Sequence, residues 1–155
     1  MHCRPVISID ATCLYGKYEG KLMIAMTTDA NNEIYPLAFA VVEKESKDTW
    51  RWFLRCLKKH FIKDRELCII SDRHRGILSA VTRKKLQHLN AYHQFCLRHL
   101  ASNFNTRFHE KRLKNMIMRA SQHNQLRKFN ATMDSIIIKM LLKYWTTRQT
   151  LKSGH

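Results

Sequence analysis

The sequence predicts an α/β domain on a mixed sheet, an antiparallel three-strand meander joined by parallel strands, with flanking helices and a helical C-terminal extension. Three observations carry that expectation. Three apolar runs follow one another closely between Val6 and Val42. Apolar residues then recur at steps of three and four before another compact apolar run, and beyond Glu110 the spacing is helical throughout. The chain has 155 residues, 45% of them hydrophobic, which suffices for one domain with a real core.

The first run, Val6-Ile7-Ser8-Ile9-Asp10, is a short strand with a carboxylate at its far end. Leu22 to Met26 and Pro36 to Val42 are the second and third, and Thr28 to Glu33 between them has the Asp/Asn content of a turn. Lys44 to Thr49 is polar and suited to start a helix, whose buried face is Trp50, Phe53, Leu54, Leu57 and Phe61, with Trp52 off that stripe. Leu67 to Ile70 reads as a fourth strand ending at Ser71-Asp72, parallel to the sheet because a helix precedes it. A second helix is expected over Arg73 to Lys85, a fifth strand over Ala91 to Phe95, and a third helix over Cys96 to Phe108 with Leu97, Leu100, Phe104 and Phe108 along it. Leu113, Ile117 and Ala120 form one later stripe; Phe129, Met133, Ile136, Ile137, Met140, Leu141 and Tyr144 form another. The expected division is a core over 1–108 and a helical extension over 109–155.

Charge separates the chain into two halves. Residues 1–72 carry 11 Lys and Arg against 10 Asp and Glu, whereas residues 73–155 carry 17 against only Glu110 and Asp134, a net of +15. Such a cationic half points to a polyanion, nucleic acid before a membrane surface. Arg83, Lys84, Lys85, Arg107, Lys111, Arg112 and Lys114 are the expected DNA-facing residues; a basic but merely solvated helix face is the alternative. Five scattered cysteines, odd in number, argue for reduced thiols in a cytosolic or nuclear setting. No signal peptide is expected at the start, and the most apolar window, Ile136 to Leu142, is broken by Lys139 and too short to span a bilayer. Neither a membrane nor a small-molecule substrate is expected.

Element order gives Asp10 its meaning. Strand-strand-strand-helix-strand-helix-strand-helix is the order of a ribonuclease-H-like domain, in which the fourth strand lies parallel beside the first. Asp72 then comes near Asp10, and two approaching carboxylates repel unless a cation lies between them. On strand and residue type alone, a turn cap is the better reading of Asp10; the element order reverses that preference.

Several linked motifs resemble the Mutator-like element (MULE) transposase domain. Asp10-Ala11-Thr12-Cys13-Leu14-Tyr15-Gly16-Lys17-Tyr18 is similar to its first acidic motif, and Ile70-Ser71-Asp72-Arg73-His74-Arg75-Gly76-Ile77 to its second. Asn32 to Val42 and Glu45 to Leu54 continue the likeness, and His93 to Phe104 resembles the family's Cys-x-x-His segment. The resemblance covers roughly residues 5–110. It implies a DDE-type recombinase acting in the nucleus on DNA, transposon ends and target, with a homo-oligomer as a further expectation. It also implies that Asp10 and Asp72 are catalytic aspartates that bind Mg²⁺ or Mn²⁺. In that chemistry two ions about 3.5–4 Å apart hold the attacking and leaving oxygens in line. Arg73 and Arg75, beside Asp72, would steer phosphate.

The third acidic residue of the family, a glutamate, is not matched: Glu110 and Asp134 lie in unlike contexts. A truncated transposase fragment, binding metal weakly and inactive alone, is therefore expected; a domesticated, transposase-derived DNA-binding or regulatory module is the alternative. Cys96 and His99, three apart on a helix, could share a Zn²⁺ ion, with His93 as a third ligand. The favoured reading is instead that Cys96 is buried and His99 hydrogen-bonds nearby backbone or lies against the active site.

Overall fold

The computed structural model describes residues 5–17, 19–62, 66–81 and 90–152, with residues 144–152 as helical backbone only. It forms two compact units, Met1–Cys96 and Leu97–His155.

The first unit is a five-stranded mixed sheet flanked by helices. Its strands are β1 (Val6–Leu14), β2 (Gly20–Thr28), β3 (Ile34–Val42), β4 (Leu67–Ser71) and β5 (Ala91–Phe95), in the order β3-β2-β1-β4-β5. β1, β2 and β3 pair antiparallel; β4 lies parallel to both β1 and β5. The β2–β3 turn is closed by Asp29, whose Oδ1 accepts from the Asn31 and Glu33 N–H groups at 2.8 and 2.9 Å, and Asn32 takes φ 66°. Asn tolerates that left-handed conformation better than most residues.

Helix α1 (Lys47–Leu57) starts at a reciprocal cap: Ser46 Oγ accepts from Thr49 N–H, and Thr49 Oγ1 accepts from Ser46 N–H. Such a cap stabilises a helix by about 0.5–2 kcal/mol. Trp50, Phe53, Leu54 and Leu57 are buried, packed with Ile7, Ile9, Met23, Ala25 and Ile69 from one face of the sheet. The expected continuation of this stripe to Phe61 fails. α1 runs into a π-helical turn at Lys58–Ile62, which widens the spacing, so Ile62 enters the core at 2% exposure and Phe61 is 46% exposed. Trp52 is exposed, as its place off the stripe implies.

Helix α2 covers Arg75–Ala80, beginning two residues later than expected; the remainder of that expectation, with Arg83, Lys84 and Lys85, lies outside the described residues.

The second unit is helical: α3 (Leu97–Phe108), α4 (Lys111–Ala120) and α5 (Leu126–Lys152). Among the described residues Ala101, Leu113, Ala120 and Ile136 are its buried apolar side chains, and Phe104 packs on Phe108 with ring centroids 4.5 Å apart. Leu100, Phe129, Ile137 and Leu141 are more exposed than their stripes suggest. Glu110 caps α4, its Oε1 accepting from Arg112 N–H at 3.3 Å. Lys143 on α5 donates to the Phe108 carbonyl at 2.9 Å and lies 3.6 Å from Glu110 Oε2. Among the described residues no helix is long and apolar enough to cross a membrane.

Candidate functional site

Asp10 lies within β1, and Asp72 directly follows β4. β1 and β4 are paired Val6↔Cys68, Ile7↔Ile69 and Ser8↔Ile70, and Asp10 and Asp72 each follow the last of these pairs by two residues. Ile7 and Ile9 point into the core, so strand alternation turns Asp10 to the other face. Asp72 follows the buried Ser71, one residue beyond the end of β4. The sequence reading put Asp10 at a strand end. The structure corrects this, because pairing with β2 carries β1 on to Leu14 and leaves Asp10 mid-strand, opposite Ile24. Only the parallel pairing with β4 ends short of it.

Both carboxylates are half-buried. Asp10 Oδ1 accepts from Ala11 N–H at 2.8 Å, and Asp72 Oδ1 accepts from His74 N–H at 3.0 Å, closing a tight turn after β4. Behind Asp72, Ser71 is 1% exposed and donates its hydroxyl proton to the Asp72 carbonyl at 2.7 Å. With that proton committed, the 2.9 Å contact between Ser71 Oγ and His93 Nε2 requires the imidazole to donate, which places a hydrogen on Nε2. Burial holds the His93 pKa below its ordinary value. Cys96 N–H closes the same corner by donating to the Ser71 carbonyl at 2.6 Å.

The sequence reading missed Glu45 and assigned no role to His74. The Glu45 side chain is 14% exposed, and its Oε1 accepts from Trp50 Nε1 at 2.9 Å while lying 2.8 Å from His74 Nδ1. His74 Nδ1 also lies 3.2 Å from Gly76 N–H, but one ring nitrogen cannot donate and accept at once. The shorter contact, to a carboxylate, is the stronger, so Nδ1–H donates to Glu45. The available signal was an acidic residue five positions before a buried tryptophan.

The basic candidates divide between the units. Arg73 and Arg75 are exposed on either side of His74, the Arg73 guanidinium 5.9 Å from the Phe95 ring centroid. In the second unit Arg107 ends α3, and Lys111, Arg112 and Lys114 occupy the first turn of α4. Arg107, Lys111 and Arg112 are exposed and Lys114 is half-buried. Cations at a helix N-terminus oppose the helix dipole, so this cluster weakens α4 unless an anion offsets it.

Among the described residues no three His, Cys, Asp or Glu side chains converge where they could hold one metal ion. The zinc grouping of His93, Cys96 and His99 is therefore not formed; His93 is engaged by Ser71. Cys13, Cys56, Cys68 and Cys96 are free thiols. Asp10 and Asp72 carry hard carboxylate oxygens, the donor type that Mg²⁺ or Mn²⁺ would take.

The fold defines the class as a mixed α/β domain, a five-stranded sheet with flanking helices, and sequence comparison gives the family. The MULE transposase domain matches residues 6–103, and the chain belongs to that family. No curated protein matches. A chain of the cryo-EM structure of the simian T-cell lymphotropic virus intasome in complex with PP2A regulatory subunit B56 gamma is similar at 12% identity and a TM-score of 0.47. That likeness covers 82% of this chain and 46% of that one, so this chain spans less than half its length.

Proposed function

We propose that the chain is the catalytic-core part of a MULE-type DNA transposase with a ribonuclease-H-like fold, in which Asp10 and Asp72 are the first two metal-binding carboxylates. The observation that supports this reading is the parallel pairing of β1 with β4, whose last pair, Ser8↔Ile70, lies two residues before Asp10 and Asp72. Asp10 and Asp72 would hold Mg²⁺ or Mn²⁺, which when bound supplies charge neutralisation for phosphoryl transfer on DNA. The protein's own part is to fix both carboxylates before DNA arrives, through the Ala11 and His74 N–H groups, and to bring phosphate with Arg73, Arg75 and the basic residues of the second unit. Nuclear action on DNA belongs to the same proposal.

A second reading, a transposase-derived DNA-binding module without catalysis, is favoured by the engagement of Glu110. Its carboxylate caps α4 and pairs with Lys143, and Asp134 is exposed on α5, so neither is offered here as a third catalytic acid. The 155-residue polypeptide by itself should therefore bind metal weakly and leave DNA uncut. Titration calorimetry with Mn²⁺ on the parent and Asp10→Asn tests the metal reading. Weak binding that is further weakened in the variant is expected, and equal affinity would place the metal elsewhere.

A further inference from the structure

We infer that Glu45 and His74 are positioning residues for Asp72; the inference rests on the proposed role of Asp72 in metal binding. Asp72 lies outside the ladder, in the turn between β4 and α2. Its Oδ1 is held by the backbone N–H of His74 at 3.0 Å, so the carboxylate is only as well placed as His74 itself. The His74 side chain is held in turn by Glu45 Oε1 at 2.8 Å, and the same oxygen accepts from Trp50 Nε1 at 2.9 Å. Trp50 is 0% exposed. A continuous path thus runs from a fully buried ring of the core, through Glu45 and His74, to Asp72 at the end of β4.

The surroundings leave this path little freedom. A Cβ on Gly76 would come within 3.0 Å of Trp50 Cδ1, 3.1 Å of His74 Nδ1 and 3.1 Å of the Ser46 carbonyl carbon. Glycine therefore lets α2 start directly against the ring and the α1 cap, which keeps His74 within reach of Glu45. A half-buried carboxylate with one hydrogen-bonding partner is expensive to hold in place. Glu45 has two donors aimed at it and a fixed address, so its placement is better explained by the turn it orients than by the surface. Groups that orient a metal ligand from behind commonly change metal affinity by about 10–100-fold when removed.

The test uses the full chain. Mn²⁺ affinity by calorimetry, thermal unfolding, and hydrogen exchange of the His74 amide are measured on the parent, Glu45→Ala, Glu45→Gln, Phe53→Leu and Asp72→Asn. Glu45→Ala is expected to weaken Mn²⁺ about tenfold and to speed exchange at His74. Glu45→Gln keeps an acceptor oxygen for His74 and Trp50 and should recover most of both. Phe53→Leu should lower the unfolding temperature and leave the affinity unchanged, which separates positioning from a merely structural role. Parent-like affinity and exchange in Glu45→Ala, with binding lost in Asp72→Asn, would overturn the positioning role and leave the two-carboxylate reading standing. Parent-like binding in Asp72→Asn would overturn both.

Discussion

Removing the charge at the start of α4 should change how DNA binding responds to salt. Lys111 and Arg112 are both exposed there, whereas Lys114 is half-buried and less able to reach a phosphate. Each phosphate neutralised contributes about −0.9 to the slope of log affinity against log salt, so the Lys111→Ala/Arg112→Ala variant should flatten the slope by up to about 1.8. Between about 50 and 200 mM salt, one contact is then worth roughly 3.5-fold in affinity and two roughly 12-fold. Fluorescence anisotropy with a labelled duplex of arbitrary sequence, at several salt concentrations, measures both slopes. Lys59→Ala is the control, an exposed lysine in the nearly neutral half of the chain, and should leave the slope as it is. Because the contacts are to backbone phosphate, a second duplex of different sequence should give the same slope. An unchanged slope in the double variant would reject these two residues, and no binding at low salt would reject the basic surface altogether.

Two further predictions concern the first unit. Ile62→Ala should cost roughly 2–5 kcal/mol, since it opens a cavity beneath a side chain with 2% exposure. Phe61→Ala should cost no more than about 1.5 kcal/mol, since that ring is already 46% exposed. Urea denaturation orders the two, and a larger loss for Phe61→Ala would remove the π-helical turn from the account. The second concerns pH. Burial lowers the His93 pKa, so the fold favours the neutral ring, and the unfolded chain takes up the extra proton once pH falls below about 6.5. Stability is therefore full above that value and declines as pH drops through the lowered folded-state pKa. His93→Gln, which keeps a donor for Ser71, should show a shallower decline between about pH 7.5 and 5.5 in urea midpoints; parallel curves for the two proteins would refute it.

Local signals were enough for the strands, most of the first helix and the charge split. Apolar runs and steps of three and four report which face of an element is buried, because burial acts residue by residue along that face. The order of elements also implied the parallel partnership of β1 with β4, and the observed register agrees with it. Other features depend on partners far apart in the chain. Asp10 lies mid-strand because β2 continues to pair as far as Leu14, and no feature of Val6 to Asp10 encodes that. Phe61 gives way to Ile62 because the helix widens at Lys58, where helical spacing alone predicts no change. Glu45 and His74 meet only once α1 and α2 are packed side by side, with Gly76 allowing the approach. The amino-acid sequence by itself determined which side chains carry charge, carboxylate or apolar surface. Tertiary structure decided which of them face one another, because hydrogen bonds and close packing act over a few ångströms and chain topology alone brings distant residues that near.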